Sequence, residues 1–313
     1  MAARCAEPPH DPPGRVWKAS PVATTGLVIV DKPAGMTSHD VVARMRRLAR
    51  TRRVGHGGTL DPMATGVLVL GVERGTKLLT YVIGSRKGYT GTIRLGQSTI
   101  TDDAEGELVT AVPADDVSDE AVRAGLATMV GLIDQVPSSV SAIKIKGVRS
   151  YSRVRAGESV DLPARPITIH RLDVGEIRRS PGLVDVDVSV ECSSGTYIRA
   201  IARDLGALTG VGGHLTALRR TAVGGFTLAE ARTLDELAEL DDPVNLDLNT
   251  AAERLFPRRD LDEAEAKVIS HGGPLSPVGI EVPYAVYGPS GDVLAVMVEK
   301  AGRAKPELVL APA

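Results

Sequence analysis

Cysteine is scarce in this chain. Two in 313 residues, Cys5 and Cys192, exclude a disulfide framework. One lies in a proline-rich N-terminal stretch, which suits a reducing cytoplasm. No apolar run reaches the roughly 18 residues that a membrane-spanning helix needs. The N-terminus also lacks the apolar core of a signal peptide, so a cytoplasmic location without membrane contact is expected. The six histidines are scattered and no close cysteine pair exists. No metal site is therefore expected. Neither a Walker-type phosphate loop nor a dinucleotide-binding glycine pattern occurs. The formal net charge of -2 does not by itself mark a nucleic-acid binder.

The distribution of charge says more than the sum. Six arginines fall between Arg44 and Arg53. Six basic residues against two acidic ones fall between Lys144 and Arg165. Acidic residues gather at Asp102 to Glu120 and at Asp235 to Asp247. Such segregation predicts a positive face on a weakly acidic protein. The length allows one large domain and a small one, and 43% apolar residues is ordinary for a globular chain.

Residues 1–24 hold five prolines and little periodicity, and read as a flexible tail. Leu27 to Val30 suit a central strand. Thr37 or Ser38 can cap the next helix, with Asp40 in its first turn. Val41, Met45 and Leu48 form that helix's apolar stripe and the arginines take the other face. It leads into Gly55-His56-Gly57-Gly58-Thr59-Leu60-Asp61-Pro62. Three glycines in four positions allow backbone angles that side chains forbid, and Pro62 disfavours a helical Asp61. Val67 to Leu70 follow as a buried strand, so a carboxylate stands in a stiff loop beside a sheet. Read without context, this is an Asp-Pro turn.

Further on, Thr76 to Ile83 suit a short helix and Lys87 to Leu95 a strand with Tyr89 near its start. Thr101 to Gly106 make a polar turn without the pattern of a calcium loop. Ser118 to Val130 read as an amphipathic helix. Four valines from Val184 to Val190 alternate with polar residues, the clearest half-buried strand of the chain. A helix follows to about Leu208, which puts Tyr197 and Arg199 near a strand-to-helix junction. Cys192 reads as a small core residue. Residues 231–260 form an acidic helical connector. A small unit follows, with a helix at Asp262 to Ser270 and strands around Tyr284–Tyr287, Val293–Val298 and Leu308–Leu310.

The run from Gly55 to Leu68 resembles the catalytic-aspartate motif of the TruB family of tRNA pseudouridine synthases, which usually has alanine or threonine where Gly57 stands. Asp31 to Ser38, Pro137 to Tyr151, Cys192 to Arg203 and His214 to Arg220 are similar to further motifs of that family, in its order, over roughly residues 26–230. The resemblance implies an α+β fold around one mixed, largely antiparallel sheet, with a small C-terminal PUA-like RNA-binding domain. The implied divisions are a tail at 1–24, a catalytic domain at 25–250 with a mobile RNA-binding flap at about 135–165, and the small domain at 251–313.

It implies isomerisation of uridine 55 in the TΨC stem-loop of tRNA, without a cofactor, by a monomer that needs no obligate protein partner. Chaperoning of tRNA folding can accompany catalysis. Asp61 is implied as the catalytic carboxylate and Arg199 as its salt-bridge partner. Tyr89 would stack on the uracil, with Tyr197 as a second aromatic and Leu218 as an apolar neighbour. His56 would fill the space left by the turned-out base. Lys32 would be a structural or RNA-proximal residue. The resemblance and the basic pattern together put RNA contacts at Arg44, Arg47, Arg50, Arg52, Arg53, Lys144, Lys146, Arg149 and Arg153. Two rival classes are a purely RNA-binding module, against which the full set of Asp61, Tyr89, Tyr197 and Arg199 speaks, and an enzyme of free sugars or nucleotides, which would require a phosphate loop.

Overall fold

The computed structural model describes residues 24–138, 144–145, 148–149 and 162–311. Nearly all of the N-terminal tail lies outside them, as do Lys146 and Arg153. Of Lys144 and Arg149 the backbone alone is described, paired across a short antiparallel ribbon.

Ten strands build one sheet. Its main path runs Leu246–Asp247, Gly26–Lys32, Thr65–Val72, Gly213–Val223, Lys87–Leu95, Leu183–Cys192, Arg165–Ser180 and Gly131–Gln135. Phe226–Thr227 and Val54–His56 pair off this path. Among the described residues its pairings are antiparallel except where Thr65–Val72 runs parallel to Gly213–Val223. This is the mixed, largely antiparallel α+β architecture expected.

The two apolar strands are continuous rather than alternating because both of their faces are covered. Val28, Val30, Leu68 and Leu70 pack on Val41 and Met45 of the helix Ser38–Leu48. Leu27, Ile29, Val67 and Val69 share a second core with Phe256, Tyr287, Val296 and Leu310 of the C-terminal unit. Val184, Val186, Val188 and Val190 alternate because only one face of their strand enters the core, against Ile201 and Leu205 of the helix Ile198–Thr209. Thr37 caps the first helix, and Asp40 returns a bond to the Thr37 backbone, completing a capping box.

Two elements differ from their sequence reading. The helix expected at Thr76 to Ile83 is a 3-10 turn, Glu73–Leu78, followed by an α-helix, Leu79–Gly84. A Cβ on Gly75 would stand 1.9 Å from the Gly26 carbonyl oxygen, so this tight turn nests directly on the first strand. The last strand begins at Arg303 instead of Leu308. Ala301 and Gly302 both take positive φ, 51° and 71°, making the hairpin turn that returns the chain. Its charged outward side chains hid the strand pattern. The connector is helical as read: its helix Leu234–Ala238 sends Leu234 and Leu237 into the core under the first helix.

The C-terminal unit is a four-stranded sheet, Arg258–Asp260, Tyr284–Tyr287, Val293–Lys300 and Arg303–Val309 in that order, with the helix Glu263–Ser270 against it. No helix among the described residues is long and apolar enough to cross a membrane.

Candidate active site

The loop that carries Asp61 is fixed from four directions. Val54–His56 pairs with Thr65–Val72, placing His56 opposite Leu70, and the Gly57 N–H donates to the Val69 carbonyl at 2.8 Å. A Cβ on Gly57 would come within 2.6 Å of Val82 Cγ1. The helix Leu79–Gly84 therefore sits directly on the loop, which accounts for glycine at this position. From the first helix, the Ser38 hydroxyl both accepts from the Leu60 N–H at 2.9 Å and donates to its carbonyl at 3.1 Å. From the strand Gly26–Lys32, the Lys32 ammonium donates to the carbonyls of Pro33, Met36 and Pro62 at 2.8, 2.7 and 3.1 Å. Lys32 is fully buried, so its place is that of a staple between two loops.

The fourth hold was not legible in the sequence. Arg220 is buried, and its guanidinium donates to the carbonyls of Val67, Thr59 and Gly58 at 2.7, 3.1 and 3.2 Å. It thereby ties the loop to the strand that follows it. Arg220 lies opposite Gly66 in the parallel pairing, where a Cβ would stand 2.2 Å from the Arg220 oxygen. Glycine at 66 is thus required by this contact.

Burial pulls Lys32 down from 10.5 to about 8, with Asp61 and Glu105 opposing and Arg220 adding to the fall. Lys87 donates to the carbonyls of Ile83 and Ser85 at 2.8 and 3.0 Å, and burial lowers it to about 8 as well. Between pH 8 and 10.5 the unfolded chain then holds more protons than the folded one, so stability rises with pH across that window. In Lys32→Met that rise should be visibly smaller, read as urea midpoints from pH 8 to 10 against the parent protein. An unchanged rise would show that Lys32 is not held with a weakened proton.

Asp61 meets Arg199, Oδ2 to Nε at 3.0 Å. The arginine is buried, whereas the carboxylate keeps 35% of its side chain exposed to solvent. Arg199 also reaches Asp103 at 3.3 Å and the Thr101 carbonyl at 2.6 Å. Asp103 is itself buried. The polar turn at Thr101 to Gly106 is therefore a wall of the site, which its loop-like composition concealed. One turn along the same helix, Arg203 stands 3.7 Å from Asp102 and donates to the Val136 carbonyl at 2.8 Å. Burial holds the Asp102 carboxyl above the usual range, opposed by Arg203.

Tyr197 caps this helix by position, with a half-buried side chain. Gln135 grips its peptide with both arms: the Tyr197 N–H donates to Oε1 at 2.8 Å, and Nε2 donates to the Tyr197 carbonyl at 3.1 Å. Gln135 was also missed in the sequence, because a glutamine at a strand end carries no pattern. Tyr89 lies on the central strand Lys87–Leu95 between Val190 and Arg220. It shares a core cluster with Leu218 and with Leu60 and Ala64, the flanks of Asp61. Burial pushes its hydroxyl above the ordinary phenol range, with Arg220 opposing. Cys192 is buried and burial raises its thiol to about 11, as befits a core residue.

His56 stands edge-on to His39, ring centroids 5.4 Å apart at 76°. Burial first, and His39 second, lower its pKa below the usual histidine range. Its Nδ1 is buried without a hydrogen-bond partner. The structure thus brings Asp61, Arg199, Tyr89, Leu218 and Lys32 around one loop, with His56 earlier in it and Tyr197 at the adjoining helix start.

The arginine patch is less uniform than its sequence. Arg46, Arg47, Arg50, Arg52 and Arg53 are exposed, but Arg44 pairs with Asp235 at 2.7 Å and Arg53 with Glu73 at 3.6 Å. Part of the acidic connector therefore lies on the basic helix, against the expected segregation. Exposed pairs of this kind contribute about 0–1 kcal/mol and leave the arginines exchangeable.

The chain is similar to known proteins over most of its length. Residues 46–198 fit the model of the TruB family pseudouridylate synthase N-terminal domain. Residues 199–248 fit a tRNA pseudouridylate synthase B C-terminal domain, and residues 256–311 fit the C-terminal model of tRNA pseudouridine synthase II. The tRNA pseudouridine synthase B of Paenarthrobacter aurescens is 58% identical over 299 residues, covering 92% of this chain and 96% of that protein. The protein of the same name from Nocardia farcinica is 58% identical over 288 residues, covering 92% and 94%. A solved Cbf5-Nop10-Gar1 complex contains a chain of the same fold, with a TM-score of 0.69 and 23% identity over 93% of this chain and 86% of that one.

The family models and the relatives together define a pseudouridine synthase, an isomerase. The chain belongs to the TruB family of pseudouridylate synthases.

Proposed function

We propose that this enzyme converts uridine 55 in the TΨC loop of tRNA to pseudouridine, with Asp61 as the essential carboxylate. The observation that carries the reading is the Asp61–Arg199 pair: a half-open carboxylate held at 3.0 Å by a buried guanidinium, on a loop flanked by the Tyr89–Leu218 cluster. The relatives' name, tRNA pseudouridine synthase B, supports the substrate.

The reaction breaks the N1–C1′ bond, turns the uracil and joins C5 to C1′, with no net oxidation or hydrolysis. A carboxylate at Asp61 can attack C1′ or take the C2′ proton. Arg199 fixes its orientation, Tyr89 gives the freed base a flat face, and Leu218 closes the apolar side. The bonded Lys32 is assigned to the scaffold. The exposed arginines at 47, 50, 52 and 53, with Arg44 once released from Asp235, meet phosphates. Lys144, Lys146, Arg149 and Arg153 are assigned the same role. The C-terminal sheet is read as a PUA-like RNA-binding unit, and the enzyme as a cytoplasmic monomer. Incubating the purified protein with a transcribed tRNA and with free UMP, then mapping pseudouridine, tests the reading. Product at position 55 and none from UMP is expected; turnover of UMP instead would overturn it.

Turning a stacked uridine out of its loop costs a few kcal/mol. His56 is suited to fill the gap, because its lowered pKa keeps the ring neutral at pH 7. His56→Ala should therefore slow the reaction on intact tRNA, yet slow it less on an RNA whose target uridine is already unstacked. Equal losses on both substrates, tracking imidazole protonation, would instead make His56 a general acid or base.

A further inference from the structure

His39 touches His56 but has been given no role of its own so far, and its position gives it one. It is the second residue of the helix Ser38–Leu48 and is exposed. The residue before it, Ser38, is bound to both backbone groups of Leu60, so the helix start cannot move independently of the Asp61 loop. The residue after it, Asp40, is locked in the capping box. The backbone beneath His39 is thus rigid on both sides.

His56 has an equally fixed backbone. It pairs with Leu70 in the sheet, and Gly57 behind it donates to Val69. Its side chain differs: Nδ1 finds no hydrogen-bond partner, so no polar contact at that atom aims the ring. The contact with His39 is edge to face at 5.4 Å and 76°, a geometry in which one ring restrains the tilt of the other. His39 also opens the exposed ridge of its helix. Ala43, Arg46 and Arg47 follow it at helical spacing, all exposed. An RNA lying on the arginines would reach His39 and His56 together.

We propose that His39 is a positioning residue for base extrusion: its ring braces His56, so that the two histidines enter the RNA as one rigid wedge. This rests on the gap-filling reading of His56. A wedge lifts a stacked base efficiently only if it does not give way, and an imidazole whose Nδ1 is unbonded tilts more easily without a second ring against it. The brace matters when the uridine must be forced out and loses its purpose when the uridine is already free.

The test compares single-turnover rates on intact tRNA and on a stem-loop whose target uridine is unstacked, for the full-length protein. His56→Ala comes first: a larger loss on intact tRNA upholds the gap-filling reading, and equal losses overturn that reading independently of His39. Given that bias, His39→Ala should slow the intact substrate by about two- to tenfold, the scale of one ring pair, and leave the loosened substrate nearly unchanged. His39→Phe, which keeps a ring, should recover most of the loss. The double His39→Ala, His56→Ala variant should be no slower than His56→Ala alone, because a brace has no role without the ring it supports. Equal losses on both RNAs, no loss on either, failure of His39→Phe to recover, or additive losses in the double variant would each overturn the proposal. His39 is exposed, so folding is not at issue, and thermal unfolding of each variant verifies that.

Discussion

Asp61→Asn should reduce pseudouridine formation to below about one ten-thousandth of the parent rate, since a nucleophile or base is removed outright. Binding of tRNA should stay within about threefold, because the groups assigned to phosphate contact lie elsewhere. The fold should also tolerate the change. The asparagine oxygen can still accept from Arg199, whose guanidinium keeps Asp103 and the Thr101 carbonyl. No buried charge is left alone, so the large destabilisation of a broken buried pair is avoided. Asp61→Glu makes the complementary case. It restores the charge but moves it outward by one methylene in a loop held by Ser38, Lys32 and Arg220. An error of about 1 Å costs on the order of 100-fold in rate. The measurement is single-turnover conversion of tRNA beside a binding isotherm. Substantial turnover by Asp61→Asn would remove the central claim, and loss of binding alongside activity would place Asp61 in RNA recognition instead.

How much of this was legible in the residues depends on what kind of signal each part carries. Strands and helices with a period were readable: the alternating valines before Cys192, the stripe of Val41 and Met45, the cap at Thr37. Asp61, His56, Tyr89, Tyr197, Arg199 and Leu218 were readable because they sit in motifs with distinctive neighbours. The supports were not. Arg220, Gln135 and Asp103 act through carbonyls, a peptide group and an arginine that are distant in sequence. Nothing local distinguishes a buried arginine late in a strand from a solvated one. Asp103 was misplaced for a related reason. Its segment is rich in Asp, Glu and Gly, as surface turns are, yet the Thr99 hydroxyl and the bridge to Leu215 draw it inside. Charge patterning misled in the same way, since Asp235 is far from Arg44 in the chain and beside it in space. Lys32 shows the converse: the Asp-Lys-Pro turn alone suits a surface lysine, the resemblance implied a structural or RNA-proximal one, and three carbonyls converge to bury it.

Arg199→Lys should cost on the order of 100-fold in rate although the charge is conserved. The reason is the number of directions that Arg199 must serve. Its Nε faces Asp61, while one terminal nitrogen faces Asp103 and the Thr101 carbonyl. A lysine ammonium is a single point on a flexible stem and cannot hold both carboxylates at the spacing the guanidinium sets. Asp103 is buried, with 5% of its side chain exposed, and Asp61 is half open at 35%. The ammonium should settle on Asp103, where an unpaired charge is more costly, and leave Asp61 mobile. The loss should therefore appear in the chemical step with tRNA affinity intact, and stability should fall only slightly. Arg199→Met separates charge from geometry. It strips Asp103 of its cation and should destabilise the fold by about 3–5 kcal/mol, the scale for breaking a buried pair. Adding Asp103→Asn to Arg199→Met should return much of that stability but none of the activity, because Asp61 still lacks its guide. Single-turnover rates and urea midpoints on these variants give both quantities. An Arg199→Lys enzyme with more than half the parent rate would mean that Asp61 is oriented by the loop alone, and the bridging guanidinium would then be a matter of stability only.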